Sequence, residues 1–306
     1  MEFDAVHPSS LGSRATAGRA SVSHDIVPAM AEDLDTERAK RWWQAGRPIA
    51  RIDRAARFVD DVGFALLFPK KGVELPTLWE AATDRPVMDA EGEWAPEMER
   101  VWRWKDELPR RGLAWYGEFV RGRKSFLSPA LLADLYPRSG RPDDFEEATF
   151  SHDAHRIARI LLLDGPQSTA VLREALDVEG SRGAERFGKA VGELARVHVV
   201  THFGTKDEGG GWPSAVLELT ARAFSIPRAR DPDASQLNVA RTFLDTMLVA
   251  QPNHLGNAFH GGATAARAVF EELVARGEAA RDGPAYRLVS SRSRPRQTPP
   301  SAASDR

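Results

Sequence analysis

One order of elements occurs twice in the second half of the chain, and that repetition restricts the fold more than any single motif does. In 151–224, Ser151 stands as an N-cap before a helix carrying Ile157, Ile160 and Leu161 on one face. DGPQS interrupts that helix, and Ser168 caps a short second one ending at Leu176. The third runs from Arg182 to Val197, with Phe187, Val191 and Leu194 inward at i, i+4 and i+7. Two β-rich runs follow, VHVVTHF and WPSAVLEL, joined by GTKDEGGG. In 235–290 the order returns: a helix over Leu237–Val249, a short one capped by Asn253, and a third over Ala263–Arg276 with Ala266, Phe270 and Leu273 inward. A hairpin turning at Asp282-Gly283 closes the unit. Three helices followed by a two-stranded wing is the winged helix-turn-helix order. The expected fold is therefore mainly α with small β-wings, as tandem winged helix-turn-helix units.

The first part, 35–150, does not share this order. Its spacing predicts helices at Thr36–Gln44, Asp53–Asp61, Pro96–Leu108 and Pro129–Leu135, with LAWYGEFVRGRKSFLS as a hairpin turning at Arg121–Lys124. Seven of the eight Trp precede residue 116, so the aromatic mass sits here. Polar breaks near 138–150 and 225–234 separate the parts. Residues 1–34 and 291–306 read as a disordered leader and tail, the tail carrying Arg292, Arg294 and Arg296 in a Pro/Ser-rich context. Met30 opens a helix-forming run and is a candidate for the true start.

Composition excludes several chemistries. The chain has 306 residues and no Cys, so disulfides, Cys-ligated zinc, iron–sulfur clusters and thiol catalysis are out. No apolar run reaches the length of about 20 residues that a membrane span needs, and no secretory signal opens the chain. A cytoplasmic protein, nucleoid-associated if it binds DNA, is expected. His152 and His155, and His198 and His202 on one strand face, lack further ligands at zinc spacing, and Gly209-Gly210-Gly211 lacks the Gly-Lys-Ser/Thr of a phosphate loop. Neither metal nor small-molecule cofactor is expected.

The formal charge is −2, yet the charges are not evenly spread. Arg110, Arg111, Arg121, Arg123 and Lys124 fall within fifteen residues, interleaved with Trp115, Tyr116, Phe119 and Phe126. Cations neutralise phosphates and aromatics stack on or wedge between bases, so this hairpin is a candidate nucleic-acid contact. Arg182, Arg186, Lys189 and Arg196 line the outward stripe of the third helix in 151–224, the element that enters the major groove in winged helices. The bland alternatives are a packed aromatic core and a solvated helix face.

The stretches RAARFVDDVGFALLFP and VWRWKDELPRRGLAWYGEFV resemble the AlkZ-like (YcaQ-type) family of bacterial winged-helix DNA glycosylases, in a divergent AlkZ-related branch, over roughly 37–290. The resemblance implies stacked winged helices holding double-stranded DNA, including damaged DNA. It also implies excision of alkylated or crosslinked purines during base excision repair, leaving an abasic site. Such enzymes depend on a Gln-x-Gln or Gln-x-Asp pair just after a helix, in a Gly-Φ-x-Gln-x-Asp setting. Here Gly63-Phe64 is followed by Ala65-Leu66-Leu67, or with a one-residue slip by Leu66-Leu67-Phe68. Aliphatic groups can neither orient water nor stabilise an oxocarbenium ion. The expectation is therefore a DNA-binding relative without that catalysis, and no catalytic residue is assigned.

Three other functions compete with this one. Base excision could persist through a relocated carboxylate, for which Glu74, Asp60, Asp106 and Glu107 are the candidates. A winged-helix transcriptional regulator would show a palindromic operator and a stable dimer. Winged helices can also serve protein contacts alone.

Overall fold

Side-chain caps set where half of the described α-helices begin. The computed structural model of the chain describes residues 27–209, 212–227 and 231–289. Its elements, in chain order, are α1 (Val27–Arg41), α2 (Ile52–Val62), β1 (Phe64–Leu66), α3 (Leu78–Ala82), α4 (Met98–Arg110), β2 (Trp115–Glu118), β3 (Lys124–Leu127) and α5 (Pro129–Leu135). They continue as α6 (His152–Asp164), β4 (Gln167–Ser168), α7 (Thr169–Ala175), α8 (Gly180–Arg196), β5 (Val200–Lys206), β6 (Ser214–Leu219) and α9 (Thr220–Ala223). The chain closes with α10 (Pro232–Met247), α11 (Pro252–Ala258), α12 (Ala263–Ala275), β7 (Ala279–Asp282) and β8 (Ala285–Leu288). Ser128, Ser151 and Ser168 each accept a hydrogen bond from the amide three residues on, closing the first turns of α5, α6 and α7. Over the described residues the protein is mainly helical, with three small antiparallel sheets ordered β1-β3-β2, β4-β6-β5 and β7-β8.

Several elements differ from the sequence expectations. Residues 27–34, assigned to the leader, belong to α1. The rest of the leader, the tail with Arg292, Arg294 and Arg296, and Gly210 and Gly211 lie outside the described residues. The cap of α11 is Gln251, not Asn253: Pro252 takes the first helical position, where its missing N–H costs nothing, and pushes the cap back along the chain. Gln251 accepts from the His254 amide, while its own amide donates to His254 Nδ1 at 3.3 Å. His198 does not share a strand face with His202, because it sits before β5 in a left-handed backbone conformation at φ 59°.

The apolar clusters do not follow the chain segments. One belongs to the first part alone and centres on Phe58, Trp79, Trp104 and Tyr116. The middle unit has another, around Ile157, Leu161 and Leu194, which also takes in Phe145 from the end of the first part. A third joins Phe64, Trp115 and Leu127 from the first part to Phe243, Phe270 and Tyr286 from the last unit. Phe64 stacks on Phe243 with centroids 5.6 Å apart and planes 7° from parallel. Beside them the Thr246 hydroxyl donates to the Val62 carbonyl at 2.5 Å, and the Trp42 indole donates to the Thr246 carbonyl at 2.7 Å. Gly63 makes this approach possible: its φ is 75°, and a Cβ there would lie 2.3 Å from the Thr242 methyl. The middle unit is tied in from its own side, through Trp115 Nε1 donating to the Thr220 hydroxyl at 3.1 Å.

Candidate nucleic-acid interface

The β2–β3 hairpin forms with Trp115 opposite Leu127 and Tyr116 opposite Phe126, so that Lys124 pairs with Glu118 inside the strands and the turn covers 119–123 instead of Arg121–Lys124. Successive side chains point to opposite faces, and here both faces are covered. Trp115 and Leu127 enter the cluster shared with the last unit, whereas Tyr116 and Phe126 enter the first-part cluster. The interleaved aromatics are therefore core, not a base-stacking platform: Trp115, Tyr116, Phe119 and Phe126 are all buried. The alternation that suggested stacking is that of a strand pair buried on two sides.

The cations remain at the surface, in two groups. Arg121 and Arg123 are exposed at the turn and Lys124 beside it. Its geometry is fixed from within: the Gly122 amide donates to the Phe119 carbonyl (2.8 Å), the Arg123 amide to Val120 (3.0 Å), and the Val120 amide to the buried Ser125 hydroxyl (3.0 Å). Lys124 is paired with Glu118 at 3.0 Å. Arg121 and Arg123 have no acidic partner among the described residues. Arg110 and Arg111, exposed at the end of α4, stand at the opposite end of β2, where Arg111 approaches Glu107 at 4.0 Å. The four residues of β2 separate the groups, roughly 13 Å of strand.

On α8 the stripe is partly committed. Arg186 grips Asp153 of α6 through two nitrogens, one of them Nη2 donating to Oδ1 at 2.6 Å. This pairing holds the Asp153 carboxyl below its ordinary range. Lys189 pairs with Glu185 at 2.8 Å. Glu193 accepts from the Ser151 amide and hydroxyl, fastening the start of α6. Arg182 and Arg196 are exposed with no acidic partner among the described residues.

The position of the polar pair is filled. Ala65, Leu66 and Leu67 are 0, 1 and 2 % exposed. Their backbone is engaged on both edges: Leu66 N–H donates to Pro76 (2.9 Å), Leu67 N–H to Lys124 (3.0 Å), and the Trp79 amide to Leu67 (3.2 Å). Phe68 is half-buried and stacks on Trp102, whose ring is 40 % exposed, at 6.3 Å and 19°. Of the four candidate carboxylates, Asp60 is exposed on α2, Glu74 pairs with Arg38 at the surface, and Glu107 lies between Arg103 and Arg111. Asp106 alone sits inside a network. Its Oδ1 accepts from Lys105 Nζ at 2.6 Å and meets His202 Nε2 at 2.5 Å, and its Oδ2 accepts from the Thr205 hydroxyl at 3.2 Å.

Burial raises the Asp106 carboxyl, but hydrogen bonds from His202 and Lys105 outweigh it and hold the group below the usual carboxylate range. An ionised carboxylate only accepts, so Nε2 of His202 carries the proton and Nδ1 is left as acceptor. Burial lowers both His202 and Lys105, with the Lys124 charge adding to each. Lys105 Nζ also lies 4.6 Å from the Trp102 ring centre. The pairing of positions 106 and 202, ninety-six residues apart, leaves no signal in sequence spacing. His198 is equally hidden: it is buried between Trp115 and Phe119, with neither ring nitrogen hydrogen-bonded. Burial pushes it down to about 3. Among the described residues no three His, Asp or Glu side chains gather as a metal-ligating set, and no helix is long and apolar enough to cross a membrane.

A mainly helical chain of packed units with small antiparallel sheets is also the class to which a solved DNA glycosylase, AlkZ of Streptomyces sahachiroi, belongs. The two superpose with a TM-score of 0.53 over 84 % of this chain and 69 % of that one, at 15 % sequence identity, a likeness of fold alone. The family itself is set by sequence: the AlkZ-related model matches residues 49–259, more than half of the chain, and the protein belongs to that family. Among the curated proteins nothing matches.

Proposed function

We propose that this protein is a DNA-binding member of the AlkZ-related family, built from tandem winged-helix units over 151–224 and 235–290. It holds double-stranded DNA and does not hydrolyse glycosidic bonds through residues 65–67. One observation supports the binding role. In a chain of net charge −2, Arg110, Arg121, Arg123, Arg182 and Arg196 stay exposed without acidic partners among the described residues. Arg111, Lys124, Arg186 and Lys189 add charge around them while engaged with neighbouring acids. Backbone phosphates are the ligand such groups serve, and membership of the AlkZ-related family supports DNA as their carrier.

The test is a mobility-shift titration over a salt series with Arg121→Glu combined with Arg123→Glu. Affinity should fall for every duplex sequence alike, and the slope of log K against log salt should shrink by about 0.9 for each phosphate no longer neutralised. Unchanged affinity in the folded double variant removes the hairpin from the interface.

A second reading, base excision from a new position, is favoured by the Asp106–His202 pair. His202 Nδ1 would take a proton from the water that bonds to the sugar carbon, while the glycosidic electron pair leaves with the base. Alkylated duplex is incubated with protein shown to bind it, then treated with alkali to cleave abasic sites. Strand breaks above background that vanish in Asp106→Asn support this reading, and background-level breakage rejects it.

A further inference from the structure

α4 keeps one stripe of side chains outside the core. Arg100, Arg103, Glu107 and Arg111 follow at spacings of three and four, so they share a face. This face is one wall of an open cleft of about 460 Å³ with Trp104 beneath it, and the chain entering α2 is the other wall. Four guanidiniums line the cleft, those of Arg51, Arg100, Arg103 and Arg111, against two carboxylates, those of Asp53 and Glu107. Asp53 pairs with Arg51 at 2.9 Å, and Glu107 divides itself between Arg103 at 3.6 Å and Arg111 at 4.0 Å.

Arg100 is left over. Its guanidinium lies 5.6 Å from the Trp104 ring centre and Nη2 donates to the Ala82 carbonyl at 3.3 Å, but Nε is buried with no hydrogen-bond partner. The opposite wall is nearly balanced, Arg51 against Asp53. The start of α2 there has no cap from the side chain of its N-cap residue Arg51, while the Asp53 carboxylate in its first turn offsets the helix-end charge, so the excess positive charge of the cleft comes from α4. Concentrating like charge in a concave site is unfavourable unless an anion occupies it, and guanidinium forks match tetrahedral oxyanions.

We propose that this cleft is a phosphate site that takes a phosphodiester of the DNA backbone, bound by Arg100 and Arg103 with Arg51 and Arg111 at its rims. The DNA carrier rests on the function proposed above; the affinity for a phosphate group does not. Arg51 and Arg103 are more than half exposed, so Arg51→Gln with Arg103→Gln leaves the core intact.

The full-length double variant and the parent are compared in two titrations, inorganic phosphate by calorimetry and a short duplex by fluorescence anisotropy across a salt series. The parent should bind phosphate and the variant should not. Duplex affinity at low salt should fall about tenfold or more, and the salt slope by about 0.9 to 1.8 for one or two phosphates released. Loss of phosphate binding with unchanged duplex affinity overturns the DNA assignment in favour of a free phosphate or phosphomonoester ligand. No phosphate binding by the parent, together with unchanged duplex affinity in the variant, overturns the site. Hairpin variants run alongside separate the two ideas: if Arg121→Glu with Arg123→Glu is silent while the cleft variant weakens duplex binding, the hairpin is wrong and the cleft stands.

Discussion

Asp106 on α4 and His202 on β5 meet at 2.5 Å, so one half-buried carboxylate joins the first part of the chain to the middle unit. Lys105 and Thr205 complete its shell. The four side chains come from two adjacent positions on a helix and two on a strand about a hundred residues later. Only packing of α4 against β5 assembles them.

Replacing Asp106 by Asn keeps the shape and removes the charge. Lys105, itself buried, loses the carboxylate that compensates it. The expected destabilisation is about 1–3 kcal/mol by urea unfolding, the range for a hydrogen-bonded charge losing its partner. A double-mutant cycle with His202→Gln should show coupling, since both residues share one network. Additive effects would mean that the pairing contributes nothing of its own.

His198 gives a pH dependence with a definite sign. Its folded value is about 3, against 6.5 when unfolded, so below 6.5 the unfolded chain binds a proton that the folded chain refuses. Stability from this group is complete above pH 6.5 and is lost as pH falls toward 3, at up to about 1.4 kcal/mol per pH unit. His198→Asn tolerates the left-handed backbone and cannot titrate. Its unfolding free energy should fall less steeply than that of the parent between about pH 6 and 4. Parallel curves would exclude His198 as the source.

Gly63 tests the seam between the first part and the last unit. Gly63→Ala places a Cβ at positive φ and 2.3 Å from the Thr242 methyl, so a loss of about 2–5 kcal/mol is expected from backbone strain and overpacking together. Thr242→Ser removes that methyl and should restore part of the loss, leaving the backbone component. Lack of any rescue in thermal melts would place the whole cost in φ.

Installing the family's polar pair should not install its chemistry. Leu66→Gln with Phe68→Asp puts an amide where the side chain is 1 % exposed, beside a carboxylate facing Trp79 and Trp102. Burial of an amide without partners costs about 1–3 kcal/mol on protein scales, in addition to the apolar packing forfeited. The variant should unfold earlier in urea and release no base from alkylated duplex; base release by a stable variant would reopen β1 as an active site.

How far each feature could be read in advance follows from how local its cause is. Ser151 and Ser168 cap their helices because the bond reaches only three residues along the chain. The last hairpin also turns on two residues, but these are Gly283-Pro284, since Asp282 pairs with Ala285 and so belongs to the strand instead of the expected Asp282-Gly283 turn. The doubled three-helix-plus-hairpin order is local in the same sense. Gln251 displaced Asn253 as a cap through the fixed φ of Pro252, also a local cause, but one that Asn's higher capping preference obscures.

Burial on the second face of a strand is not local. Trp115, Tyr116, Phe119 and Phe126 carry the same alternation whether one face of their sheet meets solvent or both meet protein, and α10 together with the first-part helices decided for protein. Partnering of charges has the same character. Arg186 and Arg182 read alike along one helix stripe, yet α6 brings Asp153 to the first, and no acid among the described residues reaches the second. By itself the sequence determined the longer helices, the serine caps of α6 and α7, the presence of the hairpins and the absence of thiol chemistry, because each depends on neighbours a few residues away or on composition. The tertiary structure alone decided which aromatics are core, that β1 is filled with aliphatic side chains, and where Asp106 and Arg100 find or lack partners. Desolvation and charge pairing depend on atoms brought close in space, which no spacing along the chain encodes.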